Sequence, residues 1–138
     1  MRVAAFAAFL FLAVPAVAQH HQLPTLTPAQ AISQAAAQSP KPVRAVFEFK
    51  VASAAKSRDG FYLDSERNFR SAQNLGIAIR ASAMPALTKK YGADLKSALV
   101  GKTIKVIGEV RRLSVGKNRS ATATQVEITT AGQILSVS

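Results

Sequence analysis

The stretch FYLDSERNFRSAQNLGIAI, residues 61–79, decides the fold of this chain. Apolar residues occupy every second position at both of its ends, a period typical of half-buried β-strands. They are Phe61 and Leu63 at the start and Leu75, Ile77 and Ile79 at the end. The middle, SERNFR, carries two arginines and a phenylalanine. It is therefore either a binding surface or a loop that is pinned to its own fold.

Strand-like alternation continues on both sides of this stretch. Residues 43–51, VRAVFEFKV, predict a long strand before it, and the turn KSRDG at 56–60 joins the two. Residues 103–113 and 124–130 predict two further strands downstream. Five strands are therefore expected in residues 43–138.

A helical segment separates the third predicted strand from the fourth. Leucine and tyrosine recur at four-residue spacing from Ser82 to about Val100, and Gly92 interrupts the run. Three strands, a helix and two strands are the order of a five-stranded OB-fold β-barrel. We therefore predict an all-β OB-fold domain over residues 43–138. A different small β-barrel or an α+β sheet is the alternative.

The first 18 residues have the pattern of a secretory signal peptide. Arg2 precedes an apolar run, Val3 to Val14, and Ala16-Val17-Ala18 supplies small residues for cleavage. The run is too short to span a bilayer, which needs about 20 apolar residues. We expect cleavage after Ala18, a periplasmic or secreted product, and no transmembrane segment.

Residues 19–42 are predicted to form a linker that contains a short helix. Thr27-Pro28-Ala29-Gln30 matches a capping box with proline at the first helical position, and the helix would end near Gln38. His20-His21 would form an amino-terminal Cu(II) or Ni(II) site if Gln19 became the first residue. The alternative is a polar terminus without metal, and we predict no cofactor.

The charge of the chain favours anionic partners. It has 18 lysines and arginines against 7 aspartates and glutamates, a formal net charge of +11. Such an excess attracts nucleic acid, anionic glycans or phosphate-rich surfaces. The alternative interpretation is that the charge only keeps the protein soluble.

Two stretches together indicate a family. YLDSERNFRSAQNLGIAI, followed by LKSALVGKTIKVIGEV, resembles bacterial exported OB-fold domains related to the tRNA anticodon-binding-like group. The matching residues are Leu63, Ser65, Glu66, Asn68, Phe69, Arg70, Gly101, Lys102, Ile104, Val106, Gly108 and Val110. The resemblance covers roughly Val43 to Val137, although Ser71-Ala72 replaces a common Asp-Pro and Leu75 replaces an aromatic residue. It implies an OB domain of a kind that often binds nucleic acid.

A ligand of an OB barrel lies across its second and third strands. There Tyr62 would face outward beside Gly76 and Ala78, which leaves a shallow floor for a base or a sugar. Cations would surround this floor and hold a polyanion. The residues predicted to bind nucleic acid are Lys50, Lys56, Arg58, Tyr62, Arg70, Arg80, Arg111, Lys117 and Arg119.

We therefore predict a non-enzymatic binding module for a polyanion, with single-stranded nucleic acid as the best specific ligand. The alternatives are an envelope-associated protein-interaction module and an anionic glycan-binding module. Enzymatic signals are weak, because Lys96 replaces the leading glycine of a phosphate-binding P-loop before Gly101-Lys102-Thr103. Within SERNFR, a pinned loop is the favoured interpretation, with Phe69 closing the end of the barrel.

Overall fold

The protein is described by a computed structural model that covers residues 22–138. The signal-peptide prediction for residues 1–18 and the His20-His21 metal hypothesis lie outside these residues. Within residues 22–138, no helix has the length and apolar character needed to cross a membrane.

The described residues form eight strands and three α-helices. The strands are β1 (Thr25–Leu26), β2 (Val43–Lys50), β3 (Ser53–Ser57), β4 (Gly60–Asp64), β5 (Leu75–Arg80), β6 (Thr103–Val115), β7 (Ala121–Ile128) and β8 (Ile134–Val137). The helices are α1 (Pro28–Gln38), α2 (Met84–Tyr91) and α3 (Leu95–Leu99).

Helix α1 begins at the predicted capping box. The Thr27 hydroxyl accepts from the Gln30 N–H at 3.3 Å, and the Gln30 side chain accepts from the Thr27 N–H at 3.0 Å. Both bonds satisfy amide groups that have no partner within the helix. Ala31 and Ala35 are fully buried. The segment assigned to a linker therefore contains a helix that packs in the core.

The predicted interruption of the second helical segment is confirmed. Gly92 follows α2 with φ at +100°, a value that glycine adopts without the penalty of a side chain. Asp94 then caps α3, because its carboxylate accepts from the Ser97 N–H at 3.1 Å. Leu87, Leu95 and Leu99 of the two helices are buried.

All eight strands belong to one mixed sheet. Its order is β1-β2-β6-β7-β5-β4-β3, and β8 pairs with β6 outside this path. The β1–β2 and β5–β7 pairs are parallel, whereas the other pairs are antiparallel. The chain passes from β2 to β3 through Val51 and Ala52, whose N–H groups donate to the Lys102 and Asp64 carbonyls at 2.9 Å.

The predicted five-stranded OB-fold barrel is wrong. The sheet has eight strands, and its hydrogen-bond ladder ends at β1 and β3 without closing into a barrel. Alternation of apolar residues identifies a strand but does not name its partners. It also misses β1 and β3, because strands of 2 and 5 residues contain too few repeats. The sequence after Gly132 predicts a short extended piece from Ile134 to Val137, and it is confirmed as β8. Strands were correctly expected at the positions of β2, β4, β5, β6 and β7.

The core lies on the inner face of the sheet and includes contributions from all three helices. Phe47, Leu63, Ile77, Ile104 and Val126 have no exposed surface. Burial of such side chains stabilises the fold by about 25 cal/mol for each Å² of apolar surface that is removed from water. Because these residues alternate along their strands, their neighbours point to the outer face, where the candidate site lies.

Candidate ligand-binding groove

Small residues on β5 create a depression in the outer face of the sheet. Strand pairing places Tyr62 opposite Ala78 and Gly76 opposite Gln125. Gln125 is in turn opposite Arg111 on β6. Side chains at paired positions share a face, so these five residues form one outward surface. The shallow floor predicted from the sequence beside Tyr62 was based on two of these residues, Gly76 and Ala78.

At one end of this surface lies a cavity of about 700 Å³, here called the aromatic groove. Its lining includes Ile32 of α1, Tyr62 and Asp64 of β4, Phe69 and Arg70 of the following loop, and Val115 of β6. Cavities of about 300–1,000 Å³ with mostly apolar walls and a few polar groups are typical of ligand sites. The groove is therefore built by a helix, the sheet and one irregular loop.

The loop 65–74 is fixed by the side chain of Asn74, which is 8% exposed. Its Nδ2 donates to Asp64 Oδ1 at 2.9 Å and to the Phe69 carbonyl at 3.2 Å. Its Oδ1 accepts from the Glu66 N–H at 3.0 Å and from Ser65 Oγ at 3.4 Å. The Asn74 side-chain amide thus provides hydrogen bonds that backbone pairing would provide in a helix or a strand. The expected pinned loop is confirmed.

Further bonds tie the loop to both neighbouring strands. Ser65 Oγ accepts from the Leu75 N–H at 2.8 Å, and the Ser65 N–H donates to the Leu75 carbonyl at 3.1 Å. Ser53 Oγ of β3 donates to the Glu66 carbonyl at 2.9 Å. The loop has no regular secondary structure, yet its ends are held to the sheet.

Phe69 is presented to solvent by this loop. Its side chain is 62% exposed, so the prediction that it closes the end of a barrel is wrong. The cause is that the Phe69 carbonyl, rather than its ring, is held inward by Asn74. The Arg70 guanidinium lies 5.3 Å from the centre of the ring, within the range of a cation–π contact. Phe69 and Arg70 therefore form a flat apolar surface bordered by positive charge.

Asp64 lies at the floor of the aromatic groove and is 8% exposed. Burial raises the pKa of its carboxyl group, whereas the hydrogen bond from Asn74 opposes the shift. Among the described residues, no lysine or arginine forms an ion pair with it. A methyl group on Gly76 would lie 3.5 Å from Asp64 Oδ1, so the carboxyl group lies beside the bare backbone of β5.

A second cavity of about 700 Å³ lies farther along the outer face and is here called the ion-paired groove. Its lining includes Arg44, Arg80, Ile107, Glu109, Arg111 and Glu127, and Gln125 borders both grooves. Arg80 Nε lies 3.2 Å from Glu127 Oε1, and Arg111 Nη2 lies 3.3 Å from Glu109 Oε2. Carboxylates therefore offset part of the positive charge in this groove.

The environment of Arg80 shows how these contacts combine. Partial burial on its own would lower the pKa of Arg80, but the hydrogen bond and negative charge of Glu127, with a contribution from Tyr62, raise it. The guanidinium therefore interacts with both neighbouring side chains, one on β4 and one on β7.

The nine predicted binding residues are divided among these surfaces. Tyr62 and Arg70 line the aromatic groove, whereas Arg80 and Arg111 line the ion-paired groove. Five predicted residues line neither groove: Lys50, Lys56, Arg58, Lys117 and Arg119. Lys117 and Arg119 lie in the turn 116–120, whose Gly116 does border the aromatic groove.

Sequence reasoning missed several residues of the aromatic groove. Ile32 and Ala36 line it from α1, and their four-residue spacing could have indicated a second apolar face beside Ala31 and Ala35. Arg112 also lines the groove, but strand alternation alone does not show that the end of β6 projects beyond the core.

Neither metal ligands nor relatives identify the ligand of these grooves. Within residues 22–138, no three His, Cys, Asp or Glu side chains come together to hold a metal ion. Comparisons of the chain with protein families, with curated proteins and with solved structures found no match.

Proposed function

We propose that this protein is a non-enzymatic binding module for a polyanion, and that its ligand is single-stranded nucleic acid. The observation that carries the proposal is the exposed Phe69 ring with Arg70 beside it, in the same cavity as Tyr62. Aromatic rings that stack with bases, bordered by cations, bind single strands at about 1–3 kcal/mol per stacked base. A polymer ligand without planar rings would not stack on Tyr62 and Phe69.

Charge supports the same ligand. Arg70 and Arg112 line the aromatic groove, and neither forms an ion pair with a carboxylate of the described residues. They are available for phosphate groups on either side of a stacked base. The net charge of +11 for the whole chain adds long-range attraction that accelerates encounter with a polyanion.

The loop 65–74 is organised for binding before a ligand arrives. Asn74 holds the loop backbone at Glu66 and at Phe69 itself, so the backbone that carries the ring needs little ordering when a base stacks on it. Ordering an interface side chain costs about 0.5–1.5 kcal/mol in other complexes. A fixed loop reduces this cost and favours a defined position for the base.

The test is the binding of a fluorescein-labelled dT oligomer of about 12 nucleotides, followed by anisotropy at several salt concentrations. We expect the logarithm of the association constant to fall with the logarithm of salt, with a slope of about −0.7 per phosphate neutralised. Tyr62→Ala should weaken binding, whereas Ile107→Ala, in the ion-paired groove, is the matched control and should not. Absence of binding, or binding that ignores salt, contradicts the proposal.

The alternative ligands give different results in the same assay. An anionic glycan such as heparin would bind with a salt slope but without dependence on Tyr62. A protein partner would depend on apolar surface residues such as Ile107 and not on the Lys117→Ala/Arg119→Ala change. Competition by heparin against the oligomer, measured with the Tyr62→Ala variant, separates glycan binding from base stacking.

A further inference from the structure

The aromatic groove contains a carboxyl group that neither stacking nor phosphate binding uses. Asp64 has one hydrogen-bond donor in the described residues, Asn74 Nδ2, which contacts only Oδ1. An ionised carboxylate has about four lone-pair sites, so most of its capacity as an acceptor is unfilled. Asn74 cannot supply more, because its Nδ2 already contacts two acceptors and its Oδ1 two donors.

The surroundings of Asp64 leave room for the edge of a planar ligand. Asp64 and Tyr62 are two residues apart on β4 and lie on the same face. Gly76 is opposite Asp64 in the strand pairing, and it leaves open the space that a side chain would fill. A methyl group there would lie 3.5 Å from both Asp64 Oδ1 and Gln125 Cγ. A base within the groove can therefore direct its edge at the carboxyl group.

We propose that Asp64 accepts hydrogen bonds from the Watson–Crick edge of guanine and gives the aromatic groove a preference for this base. An ionised carboxylate only accepts, and guanine is the base that presents two adjacent donors, N1–H and the N2 amino group. Adenine and cytosine place one amino group beside an acceptor nitrogen. Thymine places one N–H between two carbonyls. This inference rests on the proposed function and names the base that it selects.

Because Asp64 is buried, a base that offers it no hydrogen-bond donor binds less favourably. A carboxylate that is withdrawn from water and meets an acceptor loses hydration without gaining a bond. Sites built around a buried polar group reject ligands that leave that group unpaired. The pair of charge-assisted bonds to guanine is the opposite case, because two donors would fill two lone-pair sites of Asp64.

The experiment compares a dT 12-mer with the same oligomer in which one central thymine is replaced by guanine, inosine, adenine or cytosine. A single replacement avoids self-association of guanine-rich strands. We expect guanine to tighten binding about tenfold, which lies in the lower half of the range of discrimination found for bidentate contacts. Inosine lacks the N2 amino group and keeps N1–H, so it should lose most of that gain.

Asp64→Asn tests the residue itself, because it keeps the shape of the side chain and removes the second acceptor. The variant should lose the gain from guanine relative to the dT oligomer, and it should show no difference between guanine and inosine. Gly76→Ala is a second variant, since its methyl group would occupy the open floor at ordinary contact distances. It should also lose the gain from guanine. Thermal unfolding of both variants checks that they fold.

The outcomes separate this inference from the proposed function. Binding of the dT oligomer with no gain from guanine would overturn the guanine preference and leave the binding function standing. A gain that persists in both Asp64→Asn and Gly76→Ala would overturn the role of Asp64. Failure to bind any of the oligomers would overturn the proposed function, and the base preference with it. Equal binding of guanine and inosine by the wild type also contradicts the two-donor contact.

Discussion

Two irregular segments of the molecule carry cations close to the aromatic groove, and they are held in different ways. The loop 65–74 is anchored to the sheet by the buried Asn74 side chain and by Ser65. The turn 116–120 is held by bonds within itself, from the Arg119 N–H to the Gly116 carbonyl and from Ser120 Oγ to the Lys117 carbonyl, both 3.1 Å. Only the first segment fixes a side chain relative to the groove.

This difference separates two contributions of cations to ligand binding, a fixed contact and a long-range attraction, which a count of charges does not distinguish. Arg70 is placed beside the Phe69 ring by the backbone of an anchored loop, so it can contribute to a defined contact. Lys117 and Arg119 are exposed, and within residues 22–138 the turn that carries them forms side-chain and loop hydrogen bonds only within itself. Their attraction for an anion acts through solvent and weakens with salt. The contrast predicts that anchored residues control affinity and that turn residues control its dependence on salt.

Removal of the anchor should have the largest effect. Asn74→Ala removes the donor to the buried Asp64 carboxyl group and leaves the partly buried Glu66 N–H and Phe69 carbonyl without their partner. A buried group left unpaired costs about 1–3 kcal/mol. We expect urea denaturation to show a free energy of unfolding lower by about 2 kcal/mol or more. Binding of the dT oligomer should also be lost, because the position of Phe69 is no longer fixed.

Asn118→Gly in the other segment is the matched control. Asn118 has φ at +61°, a conformation that glycine adopts freely, and its side chain forms no hydrogen bond in the described residues. Its free energy of unfolding should change by less than about 0.5 kcal/mol. Equal stability of Asn74→Ala and the wild type would remove the basis for the contrast between the two segments.

Phe69→Ala should produce the next largest effect, and on binding alone. The ring is 62% exposed, so its removal should leave the unfolding transition where it is. Loss of one stacked base costs about 1–3 kcal/mol, which is roughly a fivefold to 150-fold loss of affinity. Leu135→Ala provides the control, because Leu135 is also an exposed large apolar residue, at 50%, but lies on β8 outside the groove. A similar loss in both variants would indicate non-specific apolar contact.

Local features of the fold could be predicted from the sequence, and long-range ones could not. The Thr27 capping box and the break at Gly92 depend on neighbouring residues, and both are confirmed. The pairing of β5 with β7 depends on residues some 50 positions apart, about which alternation says nothing. The wrong prediction for Phe69 has a different cause, because Asn74 lies only five positions away but holds the Phe69 carbonyl in an irregular loop, where alternation does not indicate which way a side chain points.

The candidate site was predicted in part for the same reason. Outward orientation of Tyr62 follows from alternation along β4, so it could be anticipated. The pairing of Arg80 with Glu127 could not, because those residues are 47 positions apart and meet only through the strand register. Charge counting therefore treated Arg80 and Arg70 as equivalent, whereas only Arg70 lines the aromatic groove.

Changes in the turn 116–120 should have a smaller effect on affinity and a visible effect on salt dependence. In Lys117→Ala/Arg119→Ala, the slope of the logarithm of affinity against that of salt should become shallower by up to about 0.7 per cation removed. Affinity at low salt should fall less than in Phe69→Ala. Lys89→Ala/Lys90→Ala removes the same charge from α2, away from the groove, and should change the slope less. A larger loss than for Phe69→Ala would reverse the ranking of the two segments.

The smallest effect concerns the stability of the groove floor. Burial raises the pKa of Asp64 in the folded state, so Asp64 is protonated more readily in the folded protein than in the unfolded chain. The resulting stabilisation is present below the ordinary aspartate range and is lost as the pH rises through the raised pKa. Asp64→Asn should therefore raise the free energy of unfolding at neutral pH, and this gain should shrink as the solution is acidified.

Asp59→Asn is the control for the loss of one negative charge, because Asp59 is exposed in the turn between β3 and β4. Its unfolding free energy, measured in urea from pH 4 to 8, should follow that of the wild type. A loss of stability in Asp64→Asn at neutral pH would mean that the carboxylate is already satisfied within the fold. The free acceptor capacity on which guanine recognition depends would then be absent, although stacking on Phe69 would be unaffected.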